Sequence, residues 1–417
     1  MSEPVYFLTL EVENYRCFKE KQVLDLSDGK GNWKKWTVIL GDNGTGKSSL
    51  LQLLASAEIG EYETTNPKAF ALVTLRSVEN VGIQGNCIIS IGANGTHMEN
   101  VTFHFEDNRL VKVGFDKLSV ILQCFGYGAN RKMGSNTLSS ILSTNSDTLF
   151  DDNAKLINAE EWLLQLDYAA SKESKVKELA IKKRNQVQQI LLDLLPDVNA
   201  LRFTEPTKES LKSAVEFQTS FGGVSIHQLS LGYKTMVAWM VDLAARMFER
   251  YPDSGNPLAE PAIVLVDEID LHLHPKWQRK IFEYLSDKFP QTQFIVTAHS
   301  PLVVQSAPID ANIVLLRKQE DHVLIDNEQA SVQSWRLDQI LTSDLFGVGS
   351  ARGVDVEKKL AERKELLSKK NLSKEEKARL EELNNFANRL PTAFNMEDIE
   401  TMSILQEAAA AYIAKKE

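Results

Sequence analysis

The sequence predicts an α/β fold: a head built on a parallel sheet, with an antiparallel β-subdomain, a short helical insert and a C-terminal helical tail. Gly41-Asp42-Asn43-Gly44-Thr45-Gly46-Lys47-Ser48 is a complete G-x-x-x-x-G-K-[ST] loop. It lies between the apolar run Thr37–Leu40 and a helical run from Ser48 to Ala57, the strand–loop–helix context such a loop needs. Ala262–Val266 and Gln293–Thr297 are short apolar or mixed runs bounded by turns, as expected of central parallel strands buried on both faces. From about Ala71 to Val113, short alternating runs broken by Gly82, Gly85, Gly92 and Gly95 read as antiparallel sheet.

Along the chain, Tyr6–Val12 and Lys21–Leu26 alternate like strands, and 27–35 leads into the strand before the loop. Ser119–Phe125 is a further buried strand ending in Gly126-Tyr127-Gly128-Ala129-Asn130-Arg131. That segment reads either as a phosphate-side or partner contact, or as a tight turn capped by a surface arginine. From Asn158 to Leu195 the pattern is helical and charged, closing at Pro196, without the heptads of a coiled-coil arm. Strands resume near Leu201–Phe203 and Ala214–Gln218, and Ser230–Met247 is helical. Beyond Asp344 the chain is helical. Ser373-Lys374-Glu375-Glu376 is a capping box, so Val356–Lys370 and Lys374–Leu390 read as a hairpin, either an assembly element or a plain solvated one. Pro391 ends it, and a last helix covers Met396–Ala414. The expected organisation is an N-terminal lobe over 1–157, the insert over 158–200, a C-terminal lobe over 201–345 and the tail over 346–417.

Composition bounds the function. The 417 residues allow two or three packed units, and 43% hydrophobic with 25% charged content is that of a soluble globular protein. A net charge of −10 argues against a simple nucleic-acid coat but leaves room for a local basic face. Lys172, Lys175, Lys177, Lys182, Lys183 and Arg184 crowd one helical stretch, which reads as a basic patch or as a solvated face. Cys17, Cys87 and Cys124 show no C-x-x-C spacing, which suggests neither disulfides nor zinc and fits a cytoplasmic setting. No signal peptide is legible at the start, and no apolar run reaches the roughly 18 residues of a membrane span.

The chemistry follows from the loop. Its glycines let successive N–H groups converge on a phosphate at a helix N-terminus, with Lys47 aimed at the β- and γ-phosphates and Ser48 at Mg²⁺. Ile263-Val264-Leu265-Val266-Asp267-Glu268 is an apolar strand ending in two acids, and Ile295-Val296-Thr297-Ala298-His299-Ser300 is a strand ending in a histidine. Leu229-Ser230-Leu231-Gly232-Tyr233-Lys234 opens a helix about thirty residues before the acids. There a serine hydroxyl and backbone N–H groups are placed to hold a γ-phosphate. The His272-x-His274 pair before Pro275 reads as a metal pair or, more simply, as a helix cap.

These four motifs, in this order, resemble the ABC-type ATPase head (a P-loop NTPase) of the SMC, RecF and OLD branch. Val12-Glu13-Asn14-Tyr15-Arg16-Cys17-Phe18 looks like that branch's N-terminal strand-turn. More specifically, three strings are similar to the PtuA ATPases of Septu-type and retron-associated antiphage systems. They are Leu229–Lys234, Asp267-Glu268-Ile269-Asp270-Leu271-His272-Leu273-His274-Pro275 and Leu341-Thr342-Ser343-Asp344-Leu345-Phe346-Gly347. The resemblance implies ATP and Mg²⁺ as cofactors. ATP would be bound by Gly41, Asn43, Gly44, Thr45, Gly46, Lys47, Ser48 and Ser49, with Arg16 near the nucleotide and Ser48 and Asp267 on the metal. Glu268 would be the general base and His299 the γ-phosphate switch. Ser230, Gly232 and Lys234 would serve the nucleotide of a facing subunit in a homodimer or higher even oligomer. The chain departs from the pattern at the Q-loop, which has no clear place: Gln84 and Gln123 both follow or end strand-like runs, and Gln123 sits inside its apolar run, against a role as an exposed ligand.

The implied function is an ATP-hydrolysing subunit of an antiphage complex, without a nuclease of its own. The residues after His299 hold no D-x-D site, and no HNH-like ligand cluster is present. The implied partners are a separate HNH nuclease of PtuB type, a reverse transcriptase with its DNA–RNA product in retron systems, and DNA, with no membrane. A RecF-like repair ATPase and an ATP-bound scaffold with little turnover are the alternatives.

Overall fold

The computed structural model describes residues 4–56, 85–93, 97–106, 109–115, 124–135, 145–195, 197–206, 208, 213–328, 332, 334–369 and 372–390. They belong to two units, Met1–Phe346 and Gly347–Glu417. The first unit opens with β1 (Tyr6–Glu13), β2 (Gln22–Asp25), β3 (Trp36–Gly41) and α1 (Lys47–Ala55). Next come β4 (Gly85–Ala93), β5 (His97–Glu106), β6 (Arg109–Phe115), β7 (Cys124–Tyr127) and α2 (Asp147–Phe150). Two longer helices, α3 (Ala159–Ser171) and α4 (Lys177–Leu194), precede β8 (Val198–Phe203), β9 (Val215–Thr219), β10 (Gly222–Ser225) and α5 (Leu231–Arg250). The unit continues with β11 (Ala262–Val266), α6 (Pro275–Gln278), α7 (Ile281–Lys288), β12 (Thr292–Thr297) and α8 (Pro301–Ser306). It closes with β13 (Asn312–Gln319), β14 (His322–Asp326) and α9 (Leu337–Thr342). The second unit holds α10 (Val354–Ser368) and α11 (Lys374–Asn388).

Three sheets organise the first unit. The central one runs β14-β13-β3-β12-β11-β7, parallel throughout except for β14 at its edge. Period-two alternation gives each of its faces a core. Trp36, Val38, Leu40, Val264, Val266, Phe294 and Val296 share one core with Met240, Val241 and Leu243 of α5. Ile39, Ile263, Leu265 and Ile295 share the other with Leu50, Leu51 and Leu54 of α1 and Phe7, Leu10 and Val12 of β1. Each such side chain, wholly buried, contributes about 1.5–3 kcal/mol of transfer free energy.

The second sheet is antiparallel, in the order β2-β1-β4-β5-β6. Its attachment matters for the site. The Gln293 carboxamide, buried on β12, accepts from the Phe7 N–H at 2.9 Å and donates to the Phe7 carbonyl at 2.8 Å. A side chain thus imitates a strand partner and holds β1, with the turn that follows it, against the central sheet. The third sheet, β10-β9-β8, is a small antiparallel one leading into α5.

The insert is a helical hairpin rather than one continuous stretch. Asn158 caps α3 by accepting from the Glu161 N–H at 3.2 Å, and the chain breaks between the two helices over residues 172–176, all exposed. Four of its six clustered cations already have neighbours: Lys177 pairs with Glu173, Arg184 with Asp167, Lys183 lies over the Phe248 ring and Lys172 over that of Tyr168. The solvated-face reading therefore fits better than a basic patch.

In the second unit, Ser373 and Glu376 close the capping box in both directions, at 2.8 and 3.2 Å. Arg379 forks onto Glu362, with both bonds at 2.8 Å. Leu366 and Leu383 are the buried apolar residues among those described there. The first helix of this hairpin starts at Val354, two residues earlier than the sequence suggests, behind Gly353. Pro391, the expected helix Met396–Ala414 and both Q-loop candidates, Gln84 and Gln123, lie outside the described residues.

Candidate functional site

The C-terminal ends of β3, β11 and β12 lie side by side, because those strands are parallel neighbours. Whatever follows each strand emerges at the same edge, where α/β sheets bind their ligands. The phosphate loop follows β3, Asp267 and Glu268 follow β11, and His299 follows β12. They line one groove of about 520 Å³ with Arg16 and Cys17 from the turn after β1.

The loop's shape depends on glycine at defined points. Gly46 has φ 90°, and a Cβ there would lie 2.6 Å from Cys17 Sγ and 3.0 Å from the Phe18 ring. Gly41 has φ 147°, with a Cβ position 2.8 Å from Thr45 Oγ1 and 2.9 Å from the Leu316 carbonyl oxygen. Of the expected phosphate-binding residues, Asn43, Gly44, Gly46, Lys47, Ser48 and Ser49 line the groove, and Gly41 and Thr45 do not. Thr45 is buried and donates its hydroxyl to the Asp42 carbonyl at 2.8 Å, so its side chain braces the loop. Lys47 Nζ folds back on the Gly41 and Asp42 carbonyls at 2.8 and 2.9 Å. Burial pushes its pKa down, opposed by Asp267 and Glu268 nearby. Arg16, itself at φ 50°, donates to Ser49 Oγ at 2.6 Å and Gln52 Oε1 at 2.9 Å, so a cation borders the groove opposite the acids.

The strands meet in a short chain of hydrogen bonds. Ser48 donates to Asp267 Oδ2 at 2.6 Å, and the Thr297 hydroxyl donates to Asp267 Oδ1 at 2.6 Å. The Glu268 N–H donates to Thr297 Oγ1 at 2.7 Å. Three sequence-distant strands are thereby locked in register around one carboxylate. Ser48 and Asp267 supply a hydroxyl and a carboxylate at one point, hard oxygens of the kind Mg²⁺ takes alongside phosphate and water.

Glu268 sits at φ 50°, a left-handed conformation that costs a non-glycine residue about 1–2 kcal/mol. Arg131 explains how it is held. It is 3% exposed, not the surface cap that the sequence allowed. Its guanidinium donates to the carbonyls of Gly128, Asp267 and Glu268, and burial pushes its pKa down to about 10. The corresponding loop at His299 is tied by its N–H to both Asp270 carboxylate oxygens, at 3.2 and 3.1 Å. Ser300 donates to Gln278 Oε1 at 2.6 Å, and Gln278 Nε2 donates to the Leu273 carbonyl at 3.0 Å. The bracing roles of Arg131, Thr297, Asp270 and Gln278 were not read from the sequence, although the first three lie in its quoted strings. The glycine-flanked Gly126–Arg131 string was the one signal that pointed to any of them.

Ser230, Gly232 and Lys234 do not line the groove. Ser230 is exposed and accepts from the Tyr233 N–H at 3.4 Å, as N-cap of α5. Gly232 packs so tightly that a Cβ would lie 2.4 Å from the His272 carbonyl oxygen. His274 caps α6 through Nδ1, which accepts from the Lys276 N–H at 3.3 Å. Among the described residues no group of three or more His, Cys, Asp or Glu is placed to hold a metal ion.

A family model described as "AAA domain, putative AbiEii toxin, Type IV TA system" matches residues 132–305, from just after Arg131 to beyond His299. Septu protein PtuA of Bacillus mycoides (strain KBAB4) is 27% identical over 346 residues, 81% of this chain and 44% of that protein. A retron Ec83 probable ATPase of Escherichia coli is 43% identical over 118 residues, 28% of this chain and 21% of that protein. Among solved structures, the Smc head bound to the C-winged helix domain of ScpA aligns with a TM-score of 0.45 and 16% identity, over 77% of this chain and 96% of that one. The chain is related in sequence to Septu PtuA and to retron ATPases, and it spans less than half the length of these two curated relatives.

Proposed function

We propose that this protein binds and hydrolyses ATP as the nucleotide-driven subunit of a bacterial antiphage defence complex. The observation that carries the reading is the junction of Ser48, Asp267, Thr297 and Glu268 at the mouth of the phosphate loop. Lys47 exchanges the Gly41 and Asp42 carbonyls for β- and γ-phosphate oxygens. The loop N–H groups and the start of α1 cradle the β-phosphate. Mg²⁺, held by Ser48 and Asp267, offsets charge on the phosphates when bound. Glu268 orients and deprotonates the attacking water, and His299 reads the γ-phosphate from the next strand. Asp270 and Gln278 keep the His299 loop in place.

Ser230 and Gly232 lie away from this groove, which supports their use on the nucleotide of a second copy. ATP is then sandwiched between two heads, and dimerisation is the output. A separate nuclease of HNH type is the partner through which that output acts, as the relation to Septu and retron ATPases supports. Cys17, Cys87 and Cys124, without C-x-x-C spacing, suit a cytoplasmic setting, and among the described residues no helix is long and apolar enough to cross a membrane.

The test is phosphate release by the wild type and by Glu268→Gln, alone and with the proteins that co-purify from the native operon. Wild-type turnover is expected, with a loss of about 10²–10⁴-fold in the variant and its accumulation as an ATP-bound dimer by light scattering. A wild type that releases no phosphate with DNA and its co-purifying partners would overturn the hydrolysis reading.

A further inference from the structure

Arg131 is a buried cation whose place is built by the turn after β7. At Gly128 a Cβ would lie 1.9 Å from the Thr148 carbonyl oxygen, so only glycine lets the turn pack this close against α2. The Asp267 N–H donates to the Tyr127 carbonyl at 2.8 Å, extending the β7–β11 pairing to the acids themselves. The turn brings the guanidinium under the end of β11. Nη1 donates to the Gly128 and Asp267 carbonyls, and Nη2 to the Glu268 carbonyl at 2.9 Å. Its Cζ lies 5.8 Å from the centre of the Trp239 ring, which stands on α5, the helix that Ser230 opens. Nε has no partner among the described residues.

Such burial is costly for an arginine, and a packing role alone does not require it. The distinctive feature is a rigid planar fork that holds three carbonyls, those of Asp267 and Glu268 from separate nitrogens; a lysine ammonium, like that of Lys47 on Gly41 and Asp42, reaches successive carbonyls only from one rotatable atom and does not fix their plane. Asp267 and Glu268 are the two acids of the site. Glu268 is pinned on its N–H side by Thr297 and on its C=O side by Arg131, and its φ of 50° is the conformation that this pair of bonds imposes.

We propose that Arg131 is a positioning residue for ATP hydrolysis. It holds the Asp267–Glu268 backbone in the left-handed turn that aims the Glu268 carboxylate, and it couples that turn through Trp239 to the helix bearing Ser230 and Gly232. The proposal rests on the ATPase reading above. Arg131 does not line the groove, so nucleotide affinity should be indifferent to it while turnover is not.

Full-length Arg131→Met and Arg131→Lys are compared with wild type by mant-ATP binding, phosphate release and thermal unfolding. Misplacing the base by about 1 Å is expected to lower kcat in Arg131→Met about 100-fold, with the mant-ATP Kd within about threefold of wild type. Lysine keeps the charge and loses the fork, so about 10-fold of that loss should return. Unchanged kcat in a folded Arg131→Met overturns the proposal, and so does an equal loss of binding and turnover. If the methionine variant does not fold, the lysine variant decides: lowered kcat with intact Kd supports the role, and wild-type kcat overturns it. A wild type that binds mant-ATP without releasing phosphate defeats the ATPase reading instead. Arg131 is then judged by hydrogen–deuterium exchange of the Glu268–Leu271 amides, which should be faster in Arg131→Met; unchanged exchange overturns the role.

Discussion

The nucleotide groove and the start of α5 are built on opposite plans. In the groove, Lys47, Asp267 and the backbone of Glu268 are braced from within the chain. Lys47 rests on two carbonyls, Asp267 accepts from two hydroxyls, and Glu268 is held at both ends. At the start of α5 the bracing stops. Ser230 is exposed, its hydroxyl accepts only a long bond from the Tyr233 N–H at 3.4 Å while its carbonyl takes the Lys234 N–H as the first turn of the helix, and Leu231 beside it is 60% exposed. Helix N-terminal donors and an apolar side chain are left facing outward there. The contrast teaches that the chain carries one finished half-site and one surface that needs something to face.

That contrast can be broken at three glycine or serine positions. Gly46→Ala has the largest expected effect on stability. Left-handed strain and a Cβ 2.6 Å from Cys17 Sγ should cost about 2 kcal/mol or more. Thermal unfolding should show a melting point several degrees lower, and mant-ATP binding should be lost with it. Gly232→Ala is next. Its Cβ meets the backbone of His272 at 2.4 Å, which should cost about 1–2 kcal/mol. Here binding by the monomer should survive while phosphate release falls, because the damage lies outside the groove. Ser230→Arg should change stability least, within about 1 kcal/mol for an exposed cap. It should nonetheless abolish turnover and the ATP-dependent dimer while sparing mant-ATP binding. Retained hydrolysis in that variant would remove the idea that Ser230 serves a second copy.

Much of the groove was readable in advance because its parts are contiguous. The spacing of Gly41, Gly44, Gly46 and Lys47 is itself the geometry, since each glycine occupies a positive φ within a single loop. The apolar runs before Asp267 and His299 announced buried parallel strands, and the alternation before Val113 announced the antiparallel sheet. The insert was legible as helical but not as a hairpin, because its break over 172–176 contains neither proline nor glycine. Arg131 was left open, as a phosphate-side or partner contact or as a surface cap, and the structure excludes the surface cap. An arginine at the end of a glycine-rich turn is ordinarily a surface residue, and only the partners waiting beneath β11 make burial tolerable.

The sequence by itself determined the elements: which segments are strands and helices, where the phosphate loop bends, and which acids and histidine end which strand. Those follow from sterics and periodicity, which act over a few residues. The tertiary structure alone decided that Ser48 meets Asp267, that Asp270 holds the His299 loop, that Gln293 imitates a strand against Phe7, and that Arg131 lies under Glu268. Many of these pairs are separated by more than a hundred residues, and none has a local signal. The first, second and last exist because β3, β12, β11 and β7 are neighbours in one parallel sheet, and the Gln293–Phe7 pair because β1 of the antiparallel sheet docks on β12; both arrangements are set by how the whole chain buries its two cores.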